Sequence, residues 1–355
     1  MTQKAARRWG RVCAGASAAV AMVTAFAGVG APVASAARSR ASSPIPVSMS
    51  VADESAFISL PVVLAQQLGY YKKEGLNVTL SSANGGAQAA DALVSGSTDT
   101  AVVAFDTLLS LDTKKAGYES FVTLMRYYTG ILVAAPGDTS ITSVKSLAHT
   151  TVGITSPGSS SERYVDYLLT RAGVNPSTVS FVSIGVGSTA LAALLHHEVS
   201  AAFILQPDLT ILEAEEHGKV RVLSNTQTEA GDVQAFGEPY YPSTVLAAKA
   251  TWLTSHPVAA HDMDIALAET LKWIRTHSAA QITAKMPASY YAGDKSVYVA
   301  SLATIRGSFS TNGQMPASAA SAVYRVLVKF LPGFAKANVP LGKTYTNAYF
   351  KQPSS

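Results

Sequence analysis

Apolar and polar positions alternate along the chain in two rhythms. Residues 45–52 (Ile45 to Ala52) alternate with the period of two that marks a strand. Ser59–Leu68 follows as a helix, with Pro61 tolerated in its first turn. Next come a strand at Leu76–Leu80, a helix at Ala87–Ser95 closed by Gly96, a buried strand at Thr98–Ala104 and a helix at Asp106–Lys115. Two strands, Phe121–Arg126 and Gly130–Ala135, end this set. A second set begins near Thr142. It runs short helix Ser143–Ala148, strand Thr151–Thr155, helix Ser159–Ala172, strand Ser180–Ile184, helix Ser188–His197, strand Ser200–Leu205, helix Pro207–His217 and strand Val220–Leu223. Tyr164, Leu168 and Leu169 share one face of their helix. Such alternation predicts an α/β fold with parallel sheets.

The stretch from Ser224 to Glu238 is polar, contains Asn225, Gly231 and Gly237, and reads as a loop. One more strand, Thr244–Ala248, follows it, and Trp252–Leu331 is nearly all helical. No sequence repeat is visible, although the two halves share a βα rhythm.

Composition changes the picture at one end. The chain of 355 residues is 48% hydrophobic and 14% charged, which excludes disorder and suits two domains of ordinary size. A net charge of +4 would suggest a nucleic-acid partner. The excess belongs to residues 1–36, which hold Lys4, Arg7, Arg8 and Arg11 and no acid. Removing those four from 27 basic residues leaves 23, equal to the 23 acidic ones. No nucleic-acid partner is therefore expected. The basic start, the small-residue apolar run from Val12 to Val29, and Ala34-Ser35-Ala36 predict a secretory signal peptide over 1–36, cleaved after Ala36. Arg7-Arg8 raises the twin-arginine route, though Trp9-Gly10-Arg11 continues it poorly. Residues 37–44 read as a Ser/Ala/Pro-rich linker. Cys13 is the sole cysteine, so the cleaved chain would have no disulfide, thiol nucleophile or cysteine metal site.

The most specific motif is Gly69-Tyr70-Tyr71-Lys72-Lys73-Glu74-Gly75-Leu76-Asn77-Val78, followed by Gly85-Gly86 and by Ala92-Leu93-Val94-Ser95-Gly96-Ser97-Thr98-Asp99. It resembles the solute-binding proteins of ABC importers in the nitrate, sulfonate, taurine and thiamine-pyrimidine group. Tyr71 stands where that group usually has Phe, and Ala148-His149 where Lys-Gly is usual. The likeness extends through Gly158-Ser159-Ser160-Ser161 and Phe236-Gly237-Glu238 to about residue 280. It implies the two-lobed periplasmic binding protein fold of type II, with a ligand cleft and a helical C-terminal extension. Lobe one would be 45–130 with 240–355, and lobe two 131–239. It further implies a monomer in the periplasm that carries a small-molecule ligand to an ABC permease, with no cofactor and no catalysis. A ligand sensor or an enzyme on the same fold is the alternative. Fungal thiamine-pyrimidine synthase, an enzyme relative, depends on a cysteine-rich motif that the cleaved chain would lack.

Ligands in such folds sit beyond the carboxyl ends of the strands. The candidates are therefore Ser55 and Phe57 after the first strand, Asn84, Gly85 and Gly86 after the second, and Phe105, Asp106 and Thr107 after the third. In the second set they are Ser159, Ser160 and Ser161, Gly187 and Ser188, and Gln206 and Asp208, with Tyr128 at a crossing. Asp53, Ser55, Asp106 and Asp208 can instead cap helices, and Tyr127, Tyr128, Tyr240 and Tyr241 can pack a hinge. Gly185-Val186-Gly187-Ser188-Thr189-Ala190 imitates a dinucleotide fingerprint, but it stands third in its strand set. Histidines 256 and 261 are five apart and do not share a helix face, so no metal site is expected. The candidates are rich in hydroxyls, aromatics and acids, which favours a neutral or aromatic ligand over a small anion. Arg126 or Arg163 would reverse that by facing the cleft.

Overall fold

A computed structural model describes residues 43–291 and 294–350. The expected signal peptide and its cleavage site, and most of the linker, lie outside the described residues. In chain order the elements are β1 (Ile45–Val51), α1 (Leu60–Gln67), α2 (Tyr70–Lys73), β2 (Leu76–Ser82), α3 (Gly86–Ser95), β3 (Thr100–Ala104), α4 (Phe105–Asp112), β4 (Tyr118–Thr123) and β5 (Ile131–Ala134). Then come β6 (Thr151–Ile154), α5 (Ser160–Arg171), β7 (Ser180–Ser183), α6 (Ser188–Leu195), β8 (Ala201–Ile204), α7 (Asp208–Glu215), β9 (Val222–Asn225), α8 (Glu229–Phe236) and β10 (Thr244–Lys249). The remainder is helical: α9 (Ala250–Ser255), α10 (Pro257–Thr276), α11 (Ala279–Thr283), α12 (Lys295–Ile305), α13 (Ala317–Phe330) and α14 (Pro332–Ala337).

The described residues form two five-stranded sheets, ordered β2-β1-β3-β10-β4 and β7-β6-β8-β5-β9. The expectation of parallel sheets is corrected here. Four strands in each sheet run in one direction, but β10 lies antiparallel between β3 and β4, and β5 antiparallel between β8 and β9. A parallel neighbour requires a helical crossover. The connection from β4 to β5 has none, and each antiparallel strand follows a segment arriving from the other sheet.

Those two connecting segments run side by side. Thr129 N–H donates to Thr226 O at 3.0 Å, and Thr226 N–H donates to Gly130 O at 3.1 Å. Residues 224–238 are not the predicted loop. Thr228 caps α8 through Gly231 N–H, and Gly237 ends it in the left-handed conformation at φ 76°. The helix escapes a pattern search because its buried positions are Gly231, Asp232, Ala235 and Phe236.

Gly69 and Gly96 end their helices at φ 73° and 75°, as the motif requires. One apolar cluster joins a face of the first sheet to α1, α10 and α12 and includes Met49, Leu64, Leu267 and Tyr298. A second spans both sheets and includes Tyr128, Tyr164, Phe203, Phe236 and Tyr241. A third packs α6 and α7 on the second sheet through Leu194 and Leu212.

Candidate functional site

The carboxyl ends of strands from both sheets converge on two adjoining cavities. The smaller, about 70 Å³, is lined from the first sheet by Ala52, Ile58, Gly86, Thr107 and Thr244, and from the second by Thr155, Ser160, Ser161, Val186 and Leu205. Its walls are apolar and hydroxyl-bearing. The larger, about 410 Å³, adjoins it at Val186 and Leu205 and is lined by Asp53, Ser55, Gly187, Ser188, Gln206, Asp208 and Glu215.

Most predicted loops reach this place. Gly86, Thr107, Tyr128, Ser159, Ser160 and Ser161 line the smaller cavity. Ser55, Gly187, Ser188, Gln206 and Asp208 line the larger one. Phe57 does not line either. It is buried in the first core cluster, edge-on to Tyr298 at 4.7 Å between ring centroids, and its neighbour Ile58 faces the cavity. Phe105 is likewise fully buried in the core. Asn84 lines a separate pocket with Val182 and Gly185. Gly85 marks a close approach instead: a Cβ there would stand 3.3 Å from Ser156 Oγ of the facing sheet, at a φ of +150°.

Asp106 serves as a bridge between sheets. Its Oδ1 meets Arg163 Nη2 at 3.1 Å, and its Oδ2 accepts from Ser160 Oγ at 2.7 Å. Arg163 also donates to Thr107 Oγ1 at 2.5 Å and to Gly158 O at 2.8 Å. The two charged side chains are only 3% and 14% exposed. Arg163 thus approaches the cleft with its charge already matched. Arg126 lies elsewhere, in a pocket with Arg275 and Arg306, and stacks on Tyr127.

Asp208 is buried at the start of α7 and accepts Gly187 N–H at 3.2 Å. Burial pushes its carboxyl up to about 7; the Gly187 N–H opposes this, and Asp53 adds to it. Asp53 Oδ1 accepts from the N–H and hydroxyl of Ser55 at 2.7 and 2.8 Å. Gln206 Oε1 accepts from Thr210 Oγ1 at 3.0 Å, and its Nε2 donates to Thr304 of α12 at 3.4 Å.

The expectation that the four crossing tyrosines line a pocket or pack a hinge resolves differently for each pair. Tyr128 lines the smaller cavity and donates to Ser160 O at 2.8 Å. Tyr241 stacks on Phe236 at 4.2 Å, while Tyr127 and Tyr240 stack on each other at 6.0 Å. Asp232 was not legible as a functional position. Fully buried on α8, it accepts Tyr128 N–H at 3.3 Å and Tyr241 N–H at 3.0 Å, so one carboxyl ties both crossings. Burial pushes it up to about 9, with the two N–H donors pulling down. Thr155, Val186 and Leu205 also line the cleft, and nothing in their local sequence marks them.

Among the described residues, no group of three or more His, Cys, Asp or Glu could hold a metal, and no helix is long and apolar enough to cross a membrane. His256 stacks on Trp252, and His261 Nδ1 lies 2.6 Å from Tyr349 O.

Comparison with known proteins follows the same lines. A family model described as NMT1/THI5 like matches residues 57–280. Comparison with curated proteins gave no match. Among solved structures, a protein from Bordetella bronchiseptica RB50 is 29% identical with a TM-score of 0.81, covering 86% of this chain and 95% of that one. The alkanesulfonate-binding protein SsuA from Xanthomonas axonopodis pv. citri, bound to MOPS, is 15% identical with a TM-score of 0.68, covering 86% and 100%. The periplasmic nitrate-binding protein NrtA from Synechocystis PCC 6803 is 13% identical with a TM-score of 0.63, covering 86% and 87%. The fold is that of the periplasmic binding proteins, mixed α/β with two sheets.

Proposed function

This chain belongs to the NMT1/THI5-like family, and we propose that it is an extracytoplasmic solute-binding protein that delivers a small organic solute to an ABC importer. The observation that carries this reading is the pair of adjoining cavities walled by strand ends of both sheets. Lobe one comprises residues 45–130 and 240–350, and lobe two residues 131–239. The paired segments around Thr129 and Thr226 are the hinge. Asp106 on lobe one meets Ser160 and Arg163 on lobe two, so this contact favours the closed form even before a ligand binds. A ligand that touches Thr107 on one lobe and Ser161 on the other binds the closed form better and shifts the population toward it. The closed protein, a monomer, then docks on the permease, where nucleotide hydrolysis drives transport. The cavity walls offer hydroxyls, aromatics and carboxylates, which suit binding rather than covalent chemistry.

A thermal-shift screen of sulfonates, amines and pyrimidines tests the reading. The expected result is a rise in Tm that grows with ligand concentration and diminishes in Thr107→Ala and Ser161→Ala. Chemical turnover of any bound compound would overturn it.

A further inference from the structure

The cleft discriminates by charge. The larger cavity receives Asp53 from the loop after β1, Asp208 from the start of α7 and Glu215 from the end of α7. Glu54 stands beside it, accepting from the Tyr290 hydroxyl at 2.7 Å. Among the described residues, no Lys, Arg or His lines either cavity. Arg163, which donates to Thr107 of the smaller cavity's wall, is held by Asp106. An anion entering this cleft would meet carboxylates and no unmatched cation.

Two carboxylates converge from opposite sheets. Asp53 Oδ1 is taken by Ser55, while Asp53 Oδ2 lies 3.6 Å from where a Cβ on Gly187 would stand. The Gly187 N–H donates to Asp208 Oδ2 at 3.2 Å. Asp208 is 4% exposed and lines the cavity, yet its Oδ1 receives no hydrogen bond among the described residues. A carboxylate can accept about four hydrogen bonds. A buried, under-satisfied acceptor that opens into a cavity calls for a donor, and a neighbouring like charge calls for a cation. The adjoining cavity, walled by Ala52, Ile58, Val102, Val186 and Leu205, has room for only a short apolar group.

We propose that the solute is an organic cation, an ammonium-bearing molecule with a short apolar body, held between Asp53 of one lobe and Asp208 of the other. The inference rests on the binding-protein reading and adds the ligand's charge class. Bridging two carboxylates from different lobes also gives the ligand its preference for the closed form.

The test compares three probes of similar shape by calorimetric titration of the purified protein: pentylammonium, pentanol and pentanesulfonate. Pentylammonium is expected to bind at least tenfold tighter than pentanol, with no heat from pentanesulfonate. Asp53→Asn and Asp208→Asn are each expected to weaken pentylammonium at least tenfold more than they weaken pentanol. Because the ligand's charge is itself the variable, the comparison stands even where a variant folds poorly. Pentanesulfonate binding as tightly as pentylammonium would overturn the charge class and leave the binding-protein reading intact. Equal binding of pentanol and pentylammonium would overturn it in the same way. Binding of none of the three would overturn it too. The binding-protein reading falls if the wider screen also finds no ligand.

Discussion

Replacing Arg163 with Met removes a guanidinium from a buried carboxylate. Asp106 is 3% exposed in its side chain, and its remaining side-chain donors are the hydroxyls of Ser160 and Thr107, at 2.7 and 3.3 Å. Breaking one side of a buried ion pair costs about 3–5 kcal/mol, because the surviving charge stays desolvated. With an m-value of about 3 kcal/mol/M in urea, that is a fall of about 1–1.7 M in the denaturation midpoint. Replacing both partners, Arg163→Met with Asp106→Leu, removes the stranded charge as well. The double variant is expected to recover at least about 2 kcal/mol of the loss. The assay is urea unfolding followed by circular dichroism at low and high salt, and the cost of the single variant should barely change with salt. A cost below about 1 kcal/mol, with strong salt dependence, is the signature of an exposed pair. That result would refute the reasoning, since the loop after β3 and the start of α5 would then stand apart in solution.

Other expected outcomes concern buried carboxyls and one glycine. Asp208 and Asp232, raised to about 7 and 9, bind protons in the folded state that the unfolded chain releases near pH 4. Stability should therefore fall as pH rises from about 4 toward 7 and 9 respectively, by up to about 1.4 kcal/mol per unit for each group. Asp208→Asn and Asp232→Asn should each flatten that part of a Tm-against-pH profile, and an unchanged profile would count against the burial argument. Asp264 on α10 is fully buried, with both carboxyl oxygens lacking a hydrogen-bond partner among the described residues, and burial holds its carboxyl well above the ordinary range. Asp264→Leu is expected to stabilise by about 1–2 kcal/mol, more at pH 8 than at pH 4, measured by urea midpoint. Gly231→Ala would place a Cβ 2.2 Å from the backbone oxygen of Asn225. A loss of about 3 kcal/mol is expected by thermal unfolding, whereas Ala at Gly69, with nothing within 4 Å but a φ of +73°, should cost about 1 kcal/mol.

Much of the frame was legible along the chain because it depends on local periods. Strand alternation, helical stripes such as Tyr164, Leu168 and Leu169, and glycines at left-handed helix ends are all set within a few residues. Strand ends were therefore predictable, and with them the loops that hold Thr107, Ser160 and Gln206. Helix α8 was missed because Phe236 is the one large apolar residue on a buried face otherwise made of Gly231, Asp232 and Ala235, so its stability comes from a cap and from what it packs against. Within a loop, the sequence could not decide which side chain turns inward. Phe57 went to the core and Ile58 to the cavity, because Tyr298, 241 positions along the chain, offered the ring a partner.

The sequence by itself determined the family, the βα rhythm and which loops gather at the cleft. Only the tertiary structure decided the electrostatics there. Arg163 is paired with Asp106 57 positions away, and Asp53 meets Asp208 through Gly187. Charge pairing and desolvation depend on distances between residues remote in sequence, and those distances exist only once both sheets have formed and met.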